Sequence, residues 1–532
     1  MSTTNDQPIP SNTPIIVGVG QITERVCENL AEASSHADLA AQACERALND
    51  TGVLNLARNI DTMVTVRTFA DSGSLGSCPF GMSDNLARAI SQRIGANPER
   101  AIYGVLGGET PQKLTAEFCE RLMNRESEDT PTPYRMIMIT GAEVIATIRA
   151  AKRQGVTLDW HEVTGGQLED RGITGGYALF GEEEIRHGMS NAMPYYALME
   201  NARRAKLKLG RAAYDRQMGQ IFEHYSQIAA ANPLSFFPKA FDCRELTTPT
   251  PDNPMLMAPY PRNLIAKDGV NQAAAALLTT VGEARRLGIA REKWVFLHGY
   301  ADTQEQPFLQ RPDLGDSPAM RSSLLNALKH AERTIDDIQH MDLYSCFPIV
   351  PILARDVLEL TEGDPRALTT TGGLPFFGGP GNNYTLHGIA SLVERLRDDP
   401  GSYGLVYGNG GWMSKHSTGI YSTAPPNTPL HPNHNEALQQ ELDQQPHALT
   451  NATPQGRATL ETYTVAYRQQ EPEYALVVAR LQATGERFLA LSYQPGSIEY
   501  LVQRDPLGKS LNVSHDISGN IFHFSEQPAN TC

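Results

Sequence analysis

Two rhythms of apolar and polar positions divide this chain. Residues 14–20, Pro-Ile-Ile-Val-Gly-Val-Gly, form an apolar run that predicts a buried strand closing in a turn at Gly18-x-Gly20. A dinucleotide loop would need a third glycine and an immediate helix, and Thr23 stands where that glycine belongs. Residues 37–48 change to helical spacing, with Leu39, Ala43, Ala47 and Leu48 on one side. Strands are then predicted at 60–66, 101–106 and 135–140, and helices at 85–94 and 110–123. Pro111 suits the first turn of the latter helix, where its missing N–H leaves no bond unmade. The strand at 135–140 runs into Gly141-Ala142-Glu143 and a further helix.

The order then repeats. A helix at 322–331, a strand at 341–347, a glycine loop at 372–381, a helix at 383–396 and a strand at 403–407 ending in Gly408-Asn409-Gly410-Gly411 match the first series. The two glycine loops lie about 270 residues apart, which reads as an internal duplication of an α/β half with a largely parallel sheet. Between the halves, residues 150–260 carry helices at 194–209 and 212–231 and a proline-rich loop. An excursion of that size predicts a lid or substrate-binding insertion. Beyond Tyr421 the composition turns to Pro, Asn, Gln and His, then to alternating strand-like text at 459–467, 474–481, 487–493, 497–503, 511–515 and 520–524. Those segments predict a small antiparallel barrel of five or six strands, OB-like in size. The expected organisation is a disordered N-terminus at 1–13, halves at 14–270 and 271–421, a linker at 422–456 and the barrel at 457–532.

Charge narrows the partners. A formal net charge of -15 over 532 residues argues against nucleic acid or an anionic membrane, both of which need a basic face. No apolar run approaches a membrane span, and the polar start of the chain has no signal-peptide core. Seven single cysteines without a C-x-x-C pair suggest reduced thiols in the cytoplasm and no zinc site. His431 and His434 lack further metal ligands and read as part of a solvated linker.

The chemistry is concentrated in three pieces: Leu106-Gly107-Gly108-Glu109-Thr110-Pro111, Asp342-Leu343-Tyr344-Ser345-Cys346-Phe347, and Gly372 to Gly381. Each glycine loop opens a helix, where exposed N–H groups and the helix dipole suit a thioester oxygen or an enolate. With 255–260, 270–277 and Gly141-Ala-Glu143, these segments resemble the thiolase superfamily, and within it the sterol-carrier-protein type of thiolase and the thiolase-like proteins. The resemblance covers about 14–421. It implies two βαβαβαββ halves layered α-β-α-β-α, an acyl-coenzyme A substrate, no covalently bound cofactor and a possible homodimer.

The resemblance also exposes departures. The thiolase nucleophilic cysteine falls at about Gly107, and Cys119 lies too far along the helix, on its packed face. The histidine of the Leu-His-Asp-Cys-Phe motif becomes Tyr344, its aspartate becomes Ser345, and its cysteine is kept as Cys346. The histidine of the Gly-His-Pro motif becomes Gly379. Tyr344, Cys346 and His387 are therefore the candidate catalytic residues. Gly107, Gly108, Gly378, Gly379, Asn382, Asn383, Asn409 and His416 are the candidates for substrate binding. Without a thiolate to carry an acyl group, a non-covalent aldolase-like reaction at a CoA thioester fits better than acetyl transfer. The alternative from another class is a binder of acyl-CoA or lipid that has lost the chemistry. For Tyr344 and Cys346 a plain packing role competes with the chemical one.

Overall fold

The computed structural model describes residues 9–73, 76–124, 133–176, 180–428, 430–432 and 434–524. Disorder was expected over 1–13; residues 1–8 lie outside the described ones, while Ser11 and Thr13 already accept hydrogen bonds from Gly282 and Val281.

The first sheet holds β1 (Pro14–Thr23), β2 (Thr62–Thr65), β3 (Arg100–Tyr103), β4 (Met136–Val144) and β5 (Asn271–Thr280), in the order β1-β5-β4-β2-β3, with Glu169–Asp170 appended to β3. β4, β2, β3 and the appended Glu169–Asp170 run parallel; β5 is antiparallel to both β1 and β4. The second sheet holds β6 (Phe296–Gln304), β7 (Ile338–Leu343), β8 (Tyr403–Gly410) and β9 (Lys415–Ser422), in the order β7-β8-β9-β6, with one parallel pair. The sheets are thus mixed, not largely parallel, because each half closes with antiparallel strands.

Helices α1 (His36–Asp50) and α2 (Leu86–Arg93) cover the outer face of the first sheet. α3 (Thr110–Met123) is shared by both sheets, and α4 (Ile145–Gln154) follows β4. The insertion contributes α5 (Ala192–Lys206) and α6 (Arg211–Ala231). In the second half α7 (Pro318–His330) and α8 (Ile349–Val357) cover the far face of the second sheet. α9 (Tyr384–Asp398) joins α3 in the middle layer, where Leu114, Phe118, Leu386, Ile389 and Leu392 pack against residues of both sheets. The order of layers is α-β-α-β-α.

Gly18 and Gly20 do not form the expected turn. They lie within β1, and a Cβ at either position would drive into α1, at 2.9 Å from Thr51 Cγ2 for Gly18 and 2.5 Å from the Ala47 nitrogen for Gly20. They are small because a helix crosses directly above them. The alanine-rich β5 follows the same logic: Ala273 and Ala275 face the α1 side, Ala274 and Ala276 the α3–α9 side. Gly408 and Gly410, expected beyond a strand, belong to β8, which continues through Asn409 before turning back into β9.

α10 (Asn435–Asp443) precedes the barrel strands β10 (Gly456–Arg468), β11 (Glu471–Leu481), β12 (Arg487–Ser492), β13 (Ser510–Asp516) and β14 (Gly519–His523). They close in the order β10-β11-β12-β14-β13-β10, a five-stranded barrel of the OB kind whose β12–β14 link is parallel. The strand expected at 497–503 is instead α11 (Pro495–Gln503). Pro495 sits in its first turn, and Ile498 and Leu501, three residues apart, point into the barrel core.

The barrel is tied to α5. Asn201 Nδ2 donates to the Tyr463 carbonyl at 2.9 Å, Thr462 Oγ1 donates to the Leu198 carbonyl at 2.6 Å, and Arg204 pairs with Asp505 at 2.6 Å. Fully buried Arg487 pairs with Glu461 and donates to the carbonyls of Leu309 and Arg311.

Candidate functional site

The site lies where the end of β7, the end of β8 and the head of α3 converge. Parallel pairing places Leu343 beside Tyr407, and the Tyr344 N–H donates to the Tyr407 carbonyl at 3.1 Å. Tyr344 therefore leaves the sheet beside the last turn of β8, with its ring edge-on to Tyr384 at 5.4 Å. Its hydroxyl lies against Gly108. A Cβ on that glycine would stand 2.6 Å from Tyr344 Cζ and 2.5 Å from the Asn409 carbonyl, so only glycine lets the ring reach the head of α3. Burial raises the Tyr344 phenol well above its ordinary range, with Cys346 and Glu109 adding to the effect, so it holds its proton.

Cys346 accepts a hydrogen bond from Asn409 Nδ2 at 3.7 Å, and the same amide donates to the Tyr196 hydroxyl at 2.9 Å. Burial pushes the Cys346 thiol up to about 12, against the opposing hydrogen bonds of Tyr196 and Asn409. It is a thiol, not a thiolate. Tyr196 comes from α5 and stacks on Phe347 at 4.3 Å, so the insertion supplies part of the wall. Asn409 Oδ1 is buried with no hydrogen-bond partner among the described residues.

The remaining candidates are placed less uniformly. Asn382 bridges the two glycine loops: Oδ1 accepts from the Gly107 N–H at 2.9 Å and Nδ2 donates to the Arg67 carbonyl at 2.7 Å. Asn383 Nδ2 donates to the Gly141 carbonyl at 2.6 Å. The Gly379 N–H donates to the Lys267 carbonyl at 2.9 Å, and a Cβ on Gly378 would stand 2.9 Å from Val270 Cγ1, so this pair anchors its loop to the segment before β5. The proline-rich loop is clipped to the same place, with the Phe236 and Phe237 N–H groups donating to Phe377 and Phe376 carbonyls at 2.7 and 3.1 Å. His387 is turned toward β1, its Nδ1 2.9 Å from Gln21 Oε1, and burial lowers it to about 3. His416, also lowered to about 3 by burial, meets the Tyr407 hydroxyl at 2.7 Å. Both imidazoles are neutral. Cys119 is fully buried in the face of α3. Among the described residues no three His, Cys, Asp or Glu side chains gather as a metal site.

Two residues beyond the candidate set belong to this place. Tyr196 left no mark in the sequence, since a tyrosine in an inserted helix carries no motif. Glu109 did have a signal: it directly follows Gly107-Gly108 at the N-cap of α3, and it is 3 % exposed.

Comparison with known proteins gives the fold a family. A family model described as the thiolase-like protein type 1 additional C-terminal domain matches residues 437–518. No curated protein matches the chain. The crystal structure of a monomeric SCP2-thiolase-like protein type 1 from Mycobacterium smegmatis is 36 % identical, with a TM-score of 0.82 over 97 % of this chain and 100 % of that one. An Ltp2–ChsH2(DUF35) aldolase structure shares 16 % identity and a TM-score of 0.53, covering 77 % of this chain and 98 % of that one. Human mitochondrial 3-ketoacyl-CoA thiolase shares 15 % and 0.52, covering 77 % and 99 %. These last two share the fold. With the identity and the full-length coverage of the mycobacterial structure, the chain belongs to the SCP2-thiolase-like proteins of type 1.

Proposed function

We propose that this chain makes or breaks a carbon–carbon bond beside the thioester of an acyl-coenzyme A, without a covalent acyl-enzyme. One observation carries the reading: the head of α3 presents Gly107 and Gly108 where a nucleophilic thiol would be needed, and the Tyr344 hydroxyl fills the space above Gly108. Cys346, with its proton held by burial, is no substitute nucleophile. Tyr344 serves the oxygen on C3, giving it a proton as the bond forms and receiving one as it breaks. Cys346, Asn409 and Tyr196 form a hydrogen-bonded group beside that oxygen, and the Gly108 N–H with the dipole of α3 stabilises the thioester enolate. That one structure of this fold is named an aldolase, and that the human thiolase has been solved with CoA, supports the substrate class. The mycobacterial relative is described as monomeric, which supports a monomer here rather than a homodimer.

The test is chromatography of CoA species after incubation with 3-hydroxyacyl- and 3-ketoacyl-CoAs, with and without free CoA. Cleavage of a 3-hydroxyacyl-CoA to a shorter acyl-CoA and a carbonyl compound, without added CoA, is expected, and Tyr344→Phe should abolish it. Cleavage only of 3-ketoacyl-CoA with free CoA would establish thiolysis. Binding without any turnover would establish the non-catalytic reading.

A further inference from the structure

Glu109 has no part in the chemistry so far, yet the architecture is built around it. A Cβ on Gly107 would stand 2.5 Å from Glu109 Cδ, one on Gly410 2.9 Å from Cδ, and one on Gly408 2.9 Å from Cα. Glycines from the α3 loop and from β8 thus clear a space for one carboxyl group, and Gly107 holds a positive φ of 147° to do so. The side chain is 3 % exposed, and its Oε2 has no hydrogen-bond partner among the described residues. A buried carboxyl with an unpartnered oxygen is destabilising, and one kept beside Tyr344 calls for a chemical role. The Tyr344 hydroxyl packs on the same Gly107–Gly108 segment.

We propose that Glu109 is the proton-transfer group at C2 of the acyl thioester, working with Tyr344 at C3; this rests on the acyl-CoA reading above. In cleavage, the Tyr344 oxygen takes the proton of the substrate 3-hydroxyl while the phenol proton passes to the Glu109 carboxylate. The C2–C3 electron pair moves into the thioester as an enolate, and C3 becomes a carbonyl. Glu109 then delivers its proton to C2. The hydroxyl proton ends on carbon, both side chains return to their starting states, and no oxidant or metal enters the balance. Condensation is the reverse.

The surroundings suit such a group. Lys415 from β9 and Lys113 from α3 favour its charge, Asp302 from β6 opposes it, and the phenols of Tyr344 and Tyr407 lie close enough to feel it. Burial outweighs the lysines and raises the carboxyl above its ordinary range, toward the range of a reversible base.

The test is exchange of the C2 hydrogens of butyryl-CoA in D2O, read by mass spectrometry, because exchange needs enolisation but no carbon–carbon cleavage. The wild-type chain is expected to exchange, at a rate rising with pH through a midpoint above the usual carboxylate range. Glu109→Gln is expected to slow exchange at least about 100-fold, with Glu109→Asp in between. Calorimetric titration of butyryl-CoA in parallel separates lost binding from lost proton transfer. Exchange by Glu109→Gln at the wild-type rate overturns the proposal. So does a wild-type chain that cleaves 3-hydroxyacyl-CoA but exchanges nothing, or, should Glu109→Gln fail to fold, wild-type exchange that is flat with pH. Exchange that depends on Glu109 while no 3-hydroxyacyl-CoA is cleaved overturns the aldol reading and upholds Glu109.

Discussion

Gly108→Ala is the sharpest perturbation of the site. The new methyl would stand 2.6 Å from Tyr344 Cζ and 2.5 Å from the Asn409 carbonyl, whereas ordinary contacts begin at 3.4 Å. Each gap must therefore open by 0.8–0.9 Å. The Asn409 carbonyl belongs to β8, held in register against His416 of β9, and yields little. The displacement falls on the Tyr344 ring, itself wedged against Tyr384. Overpacking of this kind costs about 1–3 kcal/mol. A shift of nearly 1 Å in a catalytic group costs on the order of 100-fold in rate. Urea unfolding and turnover of a 3-hydroxyacyl-CoA measure the two separately. Gly18→Ala is the comparison, since its methyl collides with α1 in the first sheet, away from the site. It should lower stability without a comparable fall in turnover per folded molecule. If Gly108→Ala matches wild type in both stability and turnover, Tyr344 does not occupy the head of α3 and the reasoning fails.

Three further outcomes are expected. Glu143 is buried and raised to about 8 by desolvation, so its stabilising contribution is full below the unfolded-state pKa near 4.5 and is lost as pH rises through 8. Glu143→Gln should therefore gain on wild type across that window by at most about 1.4 kcal/mol per pH unit, and parallel denaturation curves in which the gap stays constant would refute this. Tyr196→Phe removes the hydroxyl that accepts from Asn409, and should cost about 1 kcal/mol of stability and roughly tenfold in turnover; an unaltered rate would separate α5 from the chemistry. Arg487→Met leaves Glu461 paired with Arg480 alone and strands the buried Leu309 carbonyl, and should lower stability by about 1–3 kcal/mol in chemical denaturation.

Sequence pattern revealed the layers better than it revealed the site. The duplicated loop–helix–strand order was legible because α3 and α9 carry glycine loops and apolar faces toward both sheets. β5 was obscured because its alanines, good helix formers by propensity, are selected here for their size between two helical layers. α11 read as a strand because a short amphipathic helix and an alternating strand look alike over seven residues. Tyr344, Cys346 and Asn409 meet as their positions at strand ends predict, since adjacent strands of one sheet end together. His387 went the other way because its place on α9 faces β1. Tyr196 comes from a distant insertion, and no spacing in the chain records that contact.

The barrel's attachment to α5 has a consequence for how this protein behaves on dilution. Asn201 and Thr462 fasten the barrel to the helix that carries Tyr196, so one wall of the candidate site is braced by a module on the same chain. Were that module a separate subunit, the wall would be complete only at concentrations above its dissociation constant. Covalent linkage replaces that threshold with a fixed local concentration. Activity per molecule should then be the same at nanomolar and micromolar protein.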